Sequence, residues 1–380
     1  ELGSAAVADG FPQLLGCHAA AIVQRWLLLQ GFNARLESAL PLAHTGWSAQ
    51  PHTLGARLCA LRGLVFGDLK RRAWQKSLPA APTDEGVVRA KGVAVVQVNR
   101  FLAEAAQERG DTADSVFAQL ARQLHDVEPS VIRRRDRGFK VKFVGEASDD
   151  YGGPYREAVT NCCAELQSKA SPLLVLSPNG QAELGSNRAS WCIRPAASSP
   201  EQLQQFSFLG QLMGCALLQT QMVLDLELCP HVWKRLAGDQ LDEADLASFD
   251  EAQANSLRWI RHCDATDGVD EASFNDIIFD CFEAALSDGS SRELIEEGSA
   301  TPVTFATRHR FAALAVAARL HEGAAQCDAI LGGLQAVVPS ARLLRLMSGK
   351  DLQLLVCGEA DVDVAVLKQR TKYGAGVAET

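Results

Sequence analysis

The sequence predicts an α+β fold that is predominantly helical, and three observations carry that reading. Apolar residues recur at helical spacing through most of the 380 residues. Alternation of period two is confined to short pieces, Phe139–Val144 and Pro302–Phe305. Helix start and stop signals, Ser or Pro before a run and Gly after it, are spread along the chain. With 47% hydrophobic and 22% charged residues, the composition is that of an ordinary globular protein. At roughly 150 residues per domain, the length suggests two or three domains.

In the first 85 or so residues, helical runs are expected at Ala19–Leu29 and Leu58–Trp74, with Gly, Pro and His punctuating Pro41–Thr53. Leu78–Gly86 (LPAAPTDEG) has no apolar period and reads as a linker. Helices resume at Asn99–Arg109 and Asp114–Leu124, the second with Val116, Phe117, Leu120 and Leu124 on one stripe. In FKVKFVGE, Phe139, Val141 and Phe143 alternate with lysines, which predicts a strand with one buried face, ended by Gly145. A loop over Glu146–Gly153 follows, and Pro154 suits the first turn of a helix whose buried face is Tyr155, Val159, Cys162 and Leu166. Ser199-Pro200-Glu201-Gln202 predicts a capping box. In the helix it starts, Gly210 and Gly214 permit close approach of another helix. Ser348 through Asp351 predicts a further cap, with Gly358 ending that helix. No repeat and no long low-complexity tract is present.

The formal charge of −9 opposes a nucleic-acid binder, which would carry a basic face. No uncharged apolar run approaches the ~20 residues of a membrane span; Gln24 and Arg25 interrupt the nearest candidate. Eleven cysteines is an odd count without any C-x-x-C, so free thiols in a reducing compartment are expected, cytoplasmic or nuclear, with no metal and no cofactor. The first residue is Glu, so the chain reads as a fragment.

Little in the chain resembles a catalytic constellation. Gly152-Gly153-Pro154 opens a helix, yet no Lys-Ser/Thr follows and Asp149 and Asp150 would repel a phosphate. Glu146, Asp149, Asp150 and Glu157 read as caps and solvated charges, with Glu157 pairing with Arg156. His262-Cys263 is a His/Cys neighbour pair, but adjacency alone does not make a dyad, and neither G-x-S-x-G nor H-E-x-x-H occurs. A cysteine hydrolase built on Cys162/Cys163 is the weakest reading, and predicts one hyper-reactive thiol.

The string FKVKFVGEASDDYGGPYREAV resembles the opening of the first lobe of a HECT-type ubiquitin ligase, with its strand, G-E, acidic loop, G-G and R-E. The resemblance continues in order through SPLLVLSPNG (Ser171–Gly180), FSFLGQLMGCALL (Phe206–Leu218), LDLELCPHVWKRL (Leu224–Leu236), SLRWI, PVTFATRHRF and LQLLVCGEADVDVAVLKQRTKY. It runs from about Arg137 to Tyr373 and is most similar to large HERC-like ligases, in which Asp114–Leu124 and the basic stretch Arg133–Arg137 also have counterparts.

This resemblance implies a bilobal HECT first lobe (N-lobe), with a large helical and a small subdomain, preceded by a helical region. Residues 1–85 are then a helical region of unknown role, 86–136 linker and helices, and 137–380 the N-lobe without its C-lobe. The small subdomain lies at about 245–305. The implied partners are a ubiquitin-conjugating enzyme, which docks on the small subdomain, and ubiquitin. Ubiquitin passes to a cysteine in a T-C-F loop of the second lobe and then to a substrate lysine. No T-C-F occurs here, so no catalytic residue is assigned, and this chain alone is expected not to form a thioester. Cys357 matches a first-lobe cysteine that is not the acceptor. The docking groove carries over to Leu257, Ile260 and Phe311, and more loosely to Phe282, as exposed apolar anchors, with ordinary core as the competing reading of Leu257, Ile260 and Phe311. Gln253 departs from the apolar residue often found one turn before the Leu257 position. The alternative is a non-catalytic helical scaffold, or a degenerate ligase that binds a conjugating enzyme without transfer.

Overall fold

The computed structural model describes residue 14 and residues 16–40, 50–78, 93–146, 151–219, 222–338, 344–359 and 364–371. Helices dominate, with three two-stranded sheets among the described residues. Most of the expected linker at Leu78–Gly86, and Asp149 and Asp150, lie outside the described residues.

The first helix, α1 (Ala19–Ala39), runs ten residues past its expected end. The run Leu58–Trp74 is two helices, α2 (Leu54–Ala60) and α3 (Gly67–Ser77), separated by a 3-10 turn at Arg62–Leu64. Gly63 and the extended Phe66 break it, and the Phe66 N–H donates to Asn33 Oδ1 at 2.8 Å. Leu36, Leu40, Leu58, Val65, Leu69 and Leu346 form a small core of their own. Region and body are joined by α3: Trp74, buried in the main core, donates its indole N–H to the Leu217 carbonyl at 3.1 Å, and Lys70 meets Asp351 at 2.6 Å.

Linker and helices were expected over 86–136, yet β1 (Ala94–Val98) is a strand, parallel to β2 (Phe139–Phe143) in the register Val96↔Val141. Val96 and Val98 turn inward with Phe139, Val141 and Phe143. Side chains of α5 (Val116–Leu124) cover the outer edge of β1. Gln123 accepts from the Gln97 N–H at 2.9 Å and donates to its carbonyl at 2.7 Å. Gln119 does the same for Asn99 at 2.8 and 3.0 Å. Residues four apart on a helix thus meet residues two apart on a strand, and the edge is closed to other chains. Between β1 and α5 lies α4 (Arg100–Glu108), whose Arg100 takes Glu157 and Glu146 as partners, in place of the expected Glu157–Arg156 pair.

Past the short α6 (Pro129–Ile132), Gly152 takes the positive φ of +112° that starts α7 (Gly153–Leu166), as the G-G-P turn predicts. The centre is α9 (Pro200–Leu218) against α15 (Ala324–Val337). Ser199 and Gln202 form the expected capping box. A Cβ at Gly210 would lie 1.9 Å from the Ile330 carbonyl oxygen, and one at Gly333 1.8 Å from that of Ser207, so the two backbones touch. The strand expected at Pro302–Phe305 is absent; Pro302 makes a single bridge to Cys281. None of the helices is long and apolar enough to cross a membrane, among the described residues.

Candidate functional site

The small subdomain expected at about 245–305 is built on α12 (Glu251–His262), which follows α11 (Glu243–Phe249). Its start is held from outside. The loop after β3 (Leu174–Leu176) carries α8 (Pro178–Gln181), and there the buried Asn179 accepts from the Glu251 N–H at 2.8 Å. The same amide donates to the Ala247, Ser248 and Ser186 carbonyls. One side chain therefore fixes the α11–α12 corner against the body.

A second tie lies at the end of α14 (Arg308–Leu320). Arg319, 1% exposed, donates to Asp250 at 2.6 Å, to Ser287 at 3.2 Å and to Glu322. Burial raises the Glu322 pKa, and the Arg319 guanidinium works against that rise. Removing one partner from a buried ion cluster costs several kcal/mol, so the node locks α12, α14 and the loop at Ser287 together. Beneath it, the Phe249 ring lies 5.3 Å from the guanidinium and 4.1 Å from the His231 ring. Burial, with Arg319 second, lowers His231 to about 3, so it is neutral at pH 7.

Leu257, Ile260, Phe282 and Phe311 lie inside this unit. They are 5%, 3%, 2% and 3% exposed and belong to the main core. The expectation of four exposed anchors is therefore corrected. Leu257 and Ile260 are the inward face of α12, which packs on α14, and the Phe282 and Phe311 rings meet edge to face at 5.7 Å. All four belong to one buried core, which we call the floor of the unit.

The exposed apolar residues of the same stretch were not singled out from the sequence. Phe279 is 81% exposed, and Ile277 and Trp259 are about 45% and 40% exposed. Ile277 ends α13 (Phe274–Ile277), and Phe279 follows in the segment that enters the hairpin of β5 (Glu283–Ala285) and β6 (Ser291–Glu293). Ile277 and Phe279 lie within an acidic stretch of the chain. Residues 264–297 hold eleven Asp or Glu and one Arg, a net charge of −10 against −9 for the whole chain. Hydrogen bonds from Thr266 lower the Asp264 pKa, those from Ser273 lower Asp270, and those from Ser299 lower Glu293, so these carboxylates stay ionised. The signal was present as Ile277-Ile278-Phe279 between Asp276 and Asp280: apolar residues in an otherwise acidic run.

Cys162 and Cys163 offer no nucleophile of the kind a hydrolase needs. Cys162 and Cys163 are buried, and burial pushes the first well above its ordinary pKa and the second to about 12. Cys357 is half-buried and pushed by burial to about 12. A nucleophilic thiol needs the opposite shift, which removes the hydrolase reading.

Comparison with known proteins defines the class. The chain belongs to the HECT-domain (ubiquitin-transferase) family, which matches residues 160–380. Among similar proteins, the human E3 ubiquitin-protein ligase HERC2 is 33% identical over 93% of this chain and 7% of its own length. The human probable E3 ubiquitin-protein ligase HECTD4 is 28% identical over 94% of this chain and 9% of its own, and mouse E3 ubiquitin-protein ligase HECW1 29% over 62% and 14%. The chain thus spans less than a tenth of the length of HERC2 and of HECTD4.

Proposed function

We propose that this chain is the conjugating-enzyme-docking lobe of a HECT-type ubiquitin ligase. Its small subdomain seats a ubiquitin-charged conjugating enzyme, and ubiquitin passes to a cysteine of a second lobe and onward to a substrate lysine. In this reading Leu257, Ile260, Phe282 and Phe311 hold the docking surface in shape from below, while Phe279, Ile277 and Trp259 touch the partner. The observation that carries it is one mostly exposed aromatic, Phe279, in a segment holding net charge −10. Exposed aromatics at the centre of a patch dominate small interfaces, and a single-sign surround speeds encounter with an oppositely charged partner. The reading therefore calls for a conjugating enzyme with a basic face. No T-C-F sequence occurs in the 380 residues, so it gives this chain the docking step and no thioester of its own.

The test is a calorimetric titration of the chain with a panel of ubiquitin-conjugating enzymes at low and high salt. At least one binds, more weakly at high salt, and Phe279→Ala weakens it by roughly 10- to 30-fold, the effect of a 1.4–2 kcal/mol anchor. Absence of binding across the panel at either salt concentration overturns the proposal. Unchanged affinity in Phe279→Ala overturns the surface.

A further inference from the structure

The first half of α1 is a helix that the protein's own core does not support. From Ala19 to Gly31 no residue is fully buried, and Val23, Trp26, Leu27 and Leu28 are each more than half exposed. Between Ala19 and Ala34 the only charge is Arg25. A helical stretch of this length is marginal in water without packing against something. Beside it lies an open groove of 580 Å³ whose walls include Trp26, Gln30, Ala34, Phe66, Arg71 and Arg72. Its floor is aromatic, with Trp26 and Phe66 stacked at 5.3 Å. Its rim is electrically quiet: Arg72 lies 3.5 Å from Glu37 and Arg71 3.8 Å from Asp68, so each cation has an acid beside it.

We propose that this groove and the exposed arm of α1 form a two-fold interface with a second copy of the chain. The charge pattern suits that occupant. A rim of neutralised pairs gives a charged partner nothing to pair with, and suits an apolar helix almost free of charge. Residues 19–30 of another copy are such a helix. On a helical wheel Arg25 lies well over 100° from the stripe of Val23, Leu27 and Gln30, at 100° per residue, so a self-pairing brings no like charges into its centre. Each copy offers one arm and one groove, the self-complementary arrangement that closes on itself and stops at two. A twelve-residue helix is about 18 Å long and 10 Å across. Seating one arm covers on the order of 400 Å² on each side, and a reciprocal pair up to about 800 Å² per copy, less the area of Trp26 and Gln30 that arm and groove share, within the range of standard interfaces. This surface is separate from the acidic docking surface, so the dimer does not depend on the reading above.

Sedimentation velocity and light scattering on the 380-residue chain, from about 1 to 100 µM, test it. Wild type goes from the 40.8 kDa monomer to twice that mass as concentration rises. Val23→Asp combined with Leu27→Asp weakens association by roughly 30-fold or more, because two carboxylates enter an apolar contact. Leu184→Asp, an equally exposed leucine elsewhere, leaves it unchanged. Hydrogen exchange gives the second readout: α1 amides 23–31 become more protected as concentration rises. A chain that stays monomeric throughout overturns the proposal, as does a dimer that survives the double substitution. Equal protection of α1 at both ends of the concentration range also overturns it, since the arm is then covered within one chain.

Discussion

Replacing Phe311 with alanine separates a core role from a docking role. The side chain is 3% exposed and its ring meets Phe282 edge to face at 5.7 Å. Truncating a buried Phe to Ala costs about 3–5 kcal/mol, of which about 0.5–1.5 kcal/mol belongs to the ring pair. Local stability of the unit is read from hydrogen exchange at the α12 and α14 amides, whose opening free energies report it directly. Phe311→Ala is expected to lower those energies by about 3 kcal/mol or more, unless the whole unit opens first. Phe282→Ala should do the same, and the double variant should fall short of the sum by the ring-pair coupling. Phe279→Ala, mostly exposed at the start, should change them by about 0.5 kcal/mol at most. If Phe311→Ala leaves exchange within 1 kcal/mol of wild type, the side chain is not core and the burial argument is wrong.

Three further outcomes follow from other parts of the molecule. Gln123→Glu removes the donor to the Gln97 carbonyl and faces that oxygen with a carboxylate; amides of β1 should exchange faster by the equivalent of about 1–3 kcal/mol, and unchanged rates would show that the edge needs no cover. Gly333→Ala puts a methyl into the Ser207 carbonyl, while Gly332→Ala meets nothing within 4 Å; the first should lower Tm steeply and the second leave it the same or higher, and equal effects would refute the backbone contact between α9 and α15. His231 is lowered to about 3 in the folded chain from an ordinary 6.5. The unfolded chain therefore binds the extra proton first, and stability falls as pH drops from 6.5 towards 3. The fall is about 1.4 kcal/mol by pH 5.5. His231→Leu should lose correspondingly less stability than wild type between pH 7.5 and 5.5, and parallel losses would show that His231 does not carry the effect.

Local signals in the sequence located what is locally determined. The Ser199 and Ser348 capping boxes, the Gly152 turn and the Gly210/Gly214 contact all stand where residue chemistry put them. Tertiary context decided the misses. Five residues, AVVQV, make a strand only because β2 lies alongside and two glutamines of α5 satisfy the other edge. PVTF alternates like a strand, but finds one bridge partner and stays single. The same limit governs the site. An amphipathic helix announces that Leu257 and Ile260 share a face, and says nothing about whether that face meets the body or a partner. In α12 it meets α14.

That outcome changes what docking strength should depend on. If the proposed docking holds, a carrier seated at Phe279 would deliver ubiquitin usefully only where the surface keeps a fixed relation to the rest of the protein, because a misplacement of about 1 Å can cost two orders of magnitude in rate. Two ties restrain the α11–α12 corner. Asn179 bridges three carbonyls and one amide from the α8 loop, and Arg319 gathers Asp250, Ser287 and Glu322 at the far end of α14. The four buried residues of the floor complete the unit between those ties. Substitutions at Phe279 and at Asn179 should therefore fail differently: the first loses the partner, and the second holds it in the wrong place.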